Sequence, residues 1–338
     1  MAPSRRIAVA GGKGGVGRHL VEGLLERRDT LDAVIVLSRS ASSGVTFHGY
    51  TAPVIAVDYN NVASIESVLQ EHQIDTLISA IYVSGDELIT SQINMIKASL
   101  NVPSMRRFAP SEFGYGSENA VSVTEYYDPK RTVLKYLREA VEDSKGRSGR
   151  GLEYTMFACG VFMNYLGYEN PRPDREKAYG YLQPIAVVFY FSQGKAVIPG
   201  DGKQKQWWTR GEDVGKFVAA AIQLDVWPEV FNMAGSVATG NEIVDVFERV
   251  TGKKLDITYW PKAEISAQLN QIAKSSSGPI SSSGFDAPNQ FMEKTFRESQ
   301  LVLINQELPS NMNLNEATDV KPMGLEEYLK LWWGSLKN

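Results

Sequence analysis

Five glycines crowd one short stretch of this chain, Ile7-Ala8-Val9-Ala10-Gly11-Gly12-Lys13-Gly14-Gly15-Val16-Gly17, and apolar residues at helical spacing follow at once (Leu20, Val21, Leu24, Leu25). Strand, glycine turn, helix is the shape of a phosphate-binding site. Glycine lets backbone approach a pyrophosphate closely, and a helix N-terminus offers unpaired N–H groups and the positive end of a dipole. Two machines use that shape. Gly11, Gly14 and Gly17 have the G-x-x-G-x-x-G spacing of a dinucleotide turn, whereas Gly12 to Gly17 looks like a nucleoside-triphosphate loop with an early Lys. That second loop needs Gly-Lys-Ser/Thr at its end, for the terminal phosphates and for magnesium. The chain has Gly17-Arg18-His19 there, which favours the dinucleotide turn, with Gly11, Lys13, Gly14, Gly15, Val16 and Gly17 as its cofactor-binding residues.

The next chemistry-bearing position is the end of the second predicted strand, Val36-Leu37-Ser38-Arg39-Ser40. An acid there binds the 2′-hydroxyl of NAD, and an Arg suits the 2′-phosphate of NADP. No acid is present, so Arg39 points to NADPH, although a solvated surface Arg is the ordinary fate of that residue type. Lys13 adds a second positive charge. Ser79-Ala80-Ile81 closes the fourth strand with small residues, leaving room for a pyrophosphate and ribose, and Ser79 is taken as cofactor-binding. Arg107-Phe108-Ala109-Pro110-Ser111-Glu112-Phe113-Gly114 closes a further strand and turns, which places Ser111, Glu112 and Phe113 at the sheet edge where open α/β sheets bind ligands. In Tyr126-Tyr127-Asp128-Pro129-Lys130, Tyr126 and Lys130 have the spacing of a Tyr-x-x-x-Lys pair. Pro129 suits a first helical turn and leaves Tyr126 ahead of the helix. Lys130 at a helix start is opposed by the helix dipole, which suggests a role in chemistry or cofactor contact.

These residues need a scaffold, and composition allows one. The 338 residues are 43% hydrophobic and 22% charged with net charge −4, an ordinary globular balance without a basic nucleic-acid surface. No apolar run is long enough to cross a membrane, and the N-terminus lacks a signal-peptide pattern. The single cysteine, Cys159, excludes an intrachain disulfide, and the three histidines show no metal-ligand spacing, so a cytoplasmic protein without a metal is expected.

Strands are predicted at 6–10, 33–38, 53–57, 76–81, 105–109 and 153–158, with helices near 16–27, 62–72, 87–100 and 129–143. This alternation implies a doubly wound parallel sheet, an α/β Rossmann fold. Residues 143–151 are polar and glycine-containing, so a surface loop is expected. Residues 1–160 would form the NADP-binding domain and 161–338 a smaller, interleaved substrate-binding region. Within it, helices are predicted at 212–224, 241–251 and 326–333 and strands at 230–233 and 255–259, with 212–235 returning to pack on the first domain. Residues 274–284 are of low complexity. Phe113, Phe162, Tyr165 and the pair Trp207-Trp208 could line a pocket for an aromatic ring; Trp332-Trp333 read as packing.

Taken in order, these segments resemble the NmrA-like group of atypical short-chain dehydrogenases, within it the isoflavone reductase and phenylcoumaran benzylic ether reductase branch or its fungal relatives. The resemblance rests on the glycine turn, Ser38-Arg39, Gln92, Arg107 to Gly114, Lys130, Ala158 to Phe162, Phe217, Ala220 and the closing helix, and covers nearly the whole chain. It implies NADPH as cofactor, a phenolic or other small aromatic or enone-type substrate, and a part for Lys130 in proton transfer or substrate binding. Monomer and homodimer both stay open. The chain departs from the branch at Lys13, where Thr is usual, and at Ala158-Cys159-Gly160, where plant members have Asn-Cys-Phe. Some members of the group sense NADP(H) without catalysis, so a non-catalytic regulator is the alternative.

Overall fold

Ile7 and Val9 are buried on one side of their strand and Ala8 and Ala10 on the other, so the first strand is covered on both faces. That is the burial expected of a parallel sheet between two helical layers. The structure, a computed structural model, describes residues 2–83, 85–118, 127–148, 151–185, 187–275 and 290–334. The first half runs β1 (Arg6–Ala10), α1 (Gly15–Glu26), β2 (Ala33–Ser38), β3 (Ser42–Phe47), β4 (Tyr50–Ala56), α2 (Val62–Glu71), β5 (Thr76–Ser79), α3 (Gly85–Asn101), β6 (Arg107–Ala109), α4 (Asp128–Ser148) and β7 (Glu153–Tyr154). Their seven-stranded sheet has the order β3-β4-β2-β1-β5-β6-β7. Every neighbouring pair is parallel except β3–β4.

The second half runs β8 (Met156–Ala158), β9 (Val161–Phe162), α5 (Glu176–Tyr179), β10 (Phe189–Tyr190), β11 (Lys195–Pro199), β12 (Lys205–Thr209), α6 (Gly211–Ala221), β13 (Val230–Asn232), β14 (Ser236–Thr239), α7 (Gly240–Thr251), β15 (Asp256–Trp260), α8 (Lys262–Ser275), α9 (Gln290–Asn305), α10 (Asn313–Ala317) and α11 (Leu325–Trp333). It carries its own core, centred on Phe191, Trp207, Trp208, Phe247 and Trp333. α6 leaves that half and lies on α1, where Gly23 and Gly215 meet so closely that a Cβ at Gly23 would stand 2.3 Å from the Gly215 carbonyl oxygen.

Several sequence expectations need correction. The strand predicted at 153–158 steps between partners at Thr155: β7 pairs with β6, and β8 pairs with β13. The loop expected over 143–151 is helical through Ser148, with Lys145 reaching back to Glu142 at 3.7 Å. A single glycine inside a helix costs only about 1 kcal/mol relative to alanine, so Gly146 does not end it. β4 begins at Tyr50 and not 53, because the hairpin with β3 extends it. The low-complexity stretch 274–284 lies mostly outside the described residues.

Candidate functional site

β1 and β5 are neighbours at the point where strand order reverses, and ligands in open α/β sheets bind at such points. The five turn glycines do two different jobs there. Gly11 has φ +79°, and a Cβ on it would sit 2.8 Å from the Ala80 carbonyl oxygen. A Cβ on Gly12 would meet Val21 at 2.8 Å, and one on Gly17 would meet the Gly11 carbonyl oxygen at 2.3 Å. These three let α1 start directly over the strand end. Gly14 and Gly15 have nothing within 4 Å of a Cβ position. Gly15 has φ +54°, which itself favours glycine, but Gly14 has φ −159°, which any residue adopts, and no packing inside the protein explains it; it leaves an outer surface open.

The helix behind that surface has no side-chain cap at Gly14 and no acid in its first turn. Its early N–H groups need acceptors. Gly15 N–H donates to the Tyr181 carbonyl at 3.2 Å, while those of Val16 and Gly17 have no acceptor among the described residues. The charge around the turn is positive. Lys13 is exposed, and Arg39 follows directly on β2 with its side chain 82% exposed and 3.9 Å from Glu87. The Tyr59 hydroxyl is buried without a hydrogen bond of good geometry. Burial pushes its pKa up, while the nearby Gly11 N–H and Arg39 pull the other way. Open glycine surface, free N–H donors, exposed cations and an unpaired buried hydroxyl together fit a phosphorylated dinucleotide.

Ser79 is fully buried, and its hydroxyl accepts from Gln92 Nε2 at 2.6 Å. Gln92 also accepts from Ser111 N–H at 3.3 Å, and Ser111 donates to the Ile81 carbonyl at 3.0 Å. This chain of bonds ties the ends of β5 and β6 together. Glu112 is buried and accepts from Ser117 N–H at 2.8 Å. Phe113 stacks parallel to Phe157 at 6.0 Å. Arg107 lies at the other end of the strand, wholly buried; it donates to Glu153, Ser4 and the carbonyls of Ile222, Leu224 and Asp225, and is an anchor for the chain that leaves α6.

Lys130 stands in the first turn of α4, half-buried, with Nζ 5.9 Å from the centre of the Tyr127 ring. Among the described residues no carboxylate pairs with it. Its charge reaches Cys159: burial pushes that thiol up to about 12, against the pull of Lys130. Arg131 is committed to Asp128 and to the Ser117 carbonyl. Tyr126 lies outside the described residues. Tyr127 takes the position beside Lys130, its hydroxyl 4.0 Å from where a Gly114 Cβ would be. Phe162 and Tyr165 meet edge to face at 6.1 Å. Phe113, Phe162 and Val16 pack on the core of the sheet, Tyr127 and Tyr165 on the core of the second half, so these residues gather along the seam. Trp207 and Trp208 do not belong there. They are 0% and 2% exposed in the second core, because β12 is the central strand of its small sheet.

The contact between Tyr181 and the glycine turn carried no signal in the sequence, and Tyr59 and Tyr127 were visible only as parts of the segments ending the third predicted strand and opening α4. Tyr181 reaches the turn from a position 162 residues beyond His19.

The strand order β4-β2-β1-β5-β6-β7, with a glycine turn after β1 and the chemistry-bearing residues at the strands' carboxyl ends, defines a doubly wound α/β protein of the Rossmann class. The sequence pattern of the NmrA-like family matches residues 3–329, and the chain belongs to that family. It is similar to the oxidoreductase BOA1 of Botryotinia fuckeliana, 31% identical over 256 residues, 76% of this chain and 77% of that protein. The phenylcoumaran benzylic ether reductase PT1 of Pinus taeda is 25% identical over 282 residues, 78% of this chain and 81% of that protein. Among solved structures, the complex of AtPrR2 with NADP+ and (+)pinoresinol has a TM-score of 0.69 at 20% identity, covering 98% of this chain and 100% of that one. The complex of Vitis vinifera leucoanthocyanidin reductase with NADPH has a TM-score of 0.65 at 21% identity, covering 97% and 99%. No helix of the described residues is long and apolar enough to cross a membrane, and none of their His, Cys, Asp and Glu side chains group as metal ligands.

Proposed function

We propose that the chain is an NADPH-dependent reductase of a small aromatic, phenolic or enone-type substrate. The observation that carries this is the split among the turn glycines, with Gly14 and Gly15 kept open beside exposed Lys13 and Arg39. The names of the relatives, oxidoreductase and phenylcoumaran benzylic ether reductase, and the NADPH and NADP+ bound in structural neighbours support it.

NADPH, when bound, supplies the hydride. The N–H groups of the α1 start hold its pyrophosphate, with Gly11, Gly14, Gly15, Val16 and Gly17 forming the cradle. Arg39 and Lys13 hold the 2′-phosphate. The small residues at the end of β5, Ser79 among them, leave room for the ribose. Phe113, Phe162 and Tyr165 orient an aromatic substrate and keep water away from it. Lys130 Nζ, without a carboxylate partner among the described residues, is the group that delivers or removes the proton at the substrate oxygen.

The test is NADPH consumption with a panel of phenolic and enone substrates. Positioned proton transfer contributes about 10²–10⁴-fold, so Lys130→Ala should lower kcat by that order while NADP+ binding stays within a few-fold. No turnover with any substrate, beside tight NADP+ binding, would leave a sensor in place of an enzyme.

A further inference from the structure

One donor of the glycine cradle is already taken, and by a segment from the second half of the chain. After α5 the backbone turns at Gly180, with φ +59° and ψ −118°, a conformation close to glycine-only. Tyr181 then lies across the first two turns of α1. Its carbonyl accepts from Gly15 N–H at 3.2 Å, and its own N–H donates to His19 Nε2 at 3.4 Å. Its ring rests on the His19 ring, with centroids 4.9 Å apart, and the Arg18 guanidinium stands 5.2 Å from the ring centre. Its hydroxyl donates to Glu22 at 2.6 Å, and Glu22 also takes Arg18 Nε at 2.9 Å. Arg18 in turn donates to the Thr46 carbonyl of β3 at 2.9 Å.

The fit is made for this position. A Cβ on Gly180 would stand 2.5 Å from His19 Cε1, so nothing larger can seat there. Tyr179, at the start of the segment, meets the Tyr168 ring at 6.2 Å and accepts from Glu169 N–H at 2.8 Å, whereas Tyr181 is held by hydrogen bonds, the His19 ring and Arg18 and remains 44% exposed. Neither Tyr179 nor Tyr181 belongs to either core.

We propose that residues 179–182 are a strap closed over the dinucleotide cradle, and that binding of the pyrophosphate displaces it. The proposal rests on the NADPH reading above. A phosphate oxygen and the Tyr181 carbonyl are both acceptors and cannot share the Gly15 N–H. The anion gains a charge-assisted bond where the carbonyl makes a neutral one, so displacement is downhill, while the closed population lowers apparent affinity. Because the strap belongs to the half that carries Phe162 and Tyr165, cofactor occupancy is transmitted to the substrate side of the seam.

Calorimetric titration of NADP+ into the full chain tests this, together with deuterium exchange of the strap amides. Gly180→Ala cannot seat against His19, and Tyr181→Phe loses only the bond to Glu22, a milder lesion that preserves the fold. One net hydrogen bond corresponds to about two- to tenfold. Gly180→Ala should bind NADP+ tighter by that factor, Tyr181→Phe by less, and NADP+ should speed exchange at residues 179–182 in the unaltered protein. Folded variants that bind NADP+ no tighter than the unaltered chain, or strap amides that NADP+ protects, would overturn the strap. Failure of every form to bind NADP+ would instead overturn the dinucleotide reading, and the strap with it.

Discussion

Arg39 is held by little besides a long, exposed ion pair with Glu87. Such pairs contribute about 0–1 kcal/mol, so a phosphate can replace the carboxylate easily. A charge-assisted bond to phosphate is worth about 1.5–3 kcal/mol, about ten- to hundredfold. Arg39→Ala should therefore reduce the preference for NADPH over NADH by that factor, measured as two dissociation constants. An unchanged ratio would remove Arg39 from the site. His19 makes a prediction of another kind. Burial lowers its pKa from 6.5 to about 4, with Arg210 and Arg18 acting in the same direction and Glu22 and Asp213 against it. The unfolded chain takes the proton first, so the contribution of neutral His19 is complete above pH 6.5 and is lost as pH falls from there towards 4. The whole difference is about 3 kcal/mol. Urea unfolding at pH 7 and pH 4.5 should show a fall in stability about 2–3 kcal/mol larger in the unaltered chain than in His19→Gln. Equal falls would mean that the histidine titrates normally.

At the scale of elements, the β1–α1 turn separates glycines that packing requires from Gly14, which neither packing nor backbone conformation requires and which the proposed cofactor site would use. Gly17→Ala drives a Cβ into the Gly11 carbonyl and should lower stability by about 2–4 kcal/mol, a clear drop in Tm. Gly14 has φ −159°, which any residue adopts, and open space beyond it. Gly14→Ala should leave Tm within about 2 °C yet weaken NADP+ binding about tenfold by crowding the pyrophosphate. If both variants lose stability alike and bind NADP+ alike, the division between them is wrong. The turn was legible in the sequence because its signal is local: a strand, a glycine spacing and an amphipathic helix within 20 residues. β3 was not. Ser42-Ser43-Gly44-Val45-Thr46-Phe47 has one buried residue, Val45, and its hairpin turns through His48 and Gly49 at φ +48° and +82°. An edge strand that buries so little leaves almost no periodic trace.

Across the whole molecule, the same limit decides what could be read. The parallel sheet buries strands β1 and β2 on both faces, so apolar runs announced it. In the second half the helices α6, α7 and α11 and the strands β13 and β15 were legible, but β9 and β10 are two residues long and no period can be counted in them. Trp207 and Trp208 looked like pocket walls for the same reason; only the pairing of β12 with β9 and β14 makes them core. The site was half visible. Arg39 and Lys130 follow from position along the chain, whereas Tyr181 reaches His19 across 162 residues and no local pattern reports it. What would join these parts, on the function proposed above, is hydride transfer at the seam. The most direct test is to supply NADPH deuterated at the nicotinamide C4 together with phenolic and enone acceptors, and to look for deuterium in the product. The unaltered chain should transfer the label to carbon, and Lys130→Ala should do so about 10²–10⁴-fold more slowly while still binding NADP+. Tight NADPH binding with no label in any product would contradict a reductase.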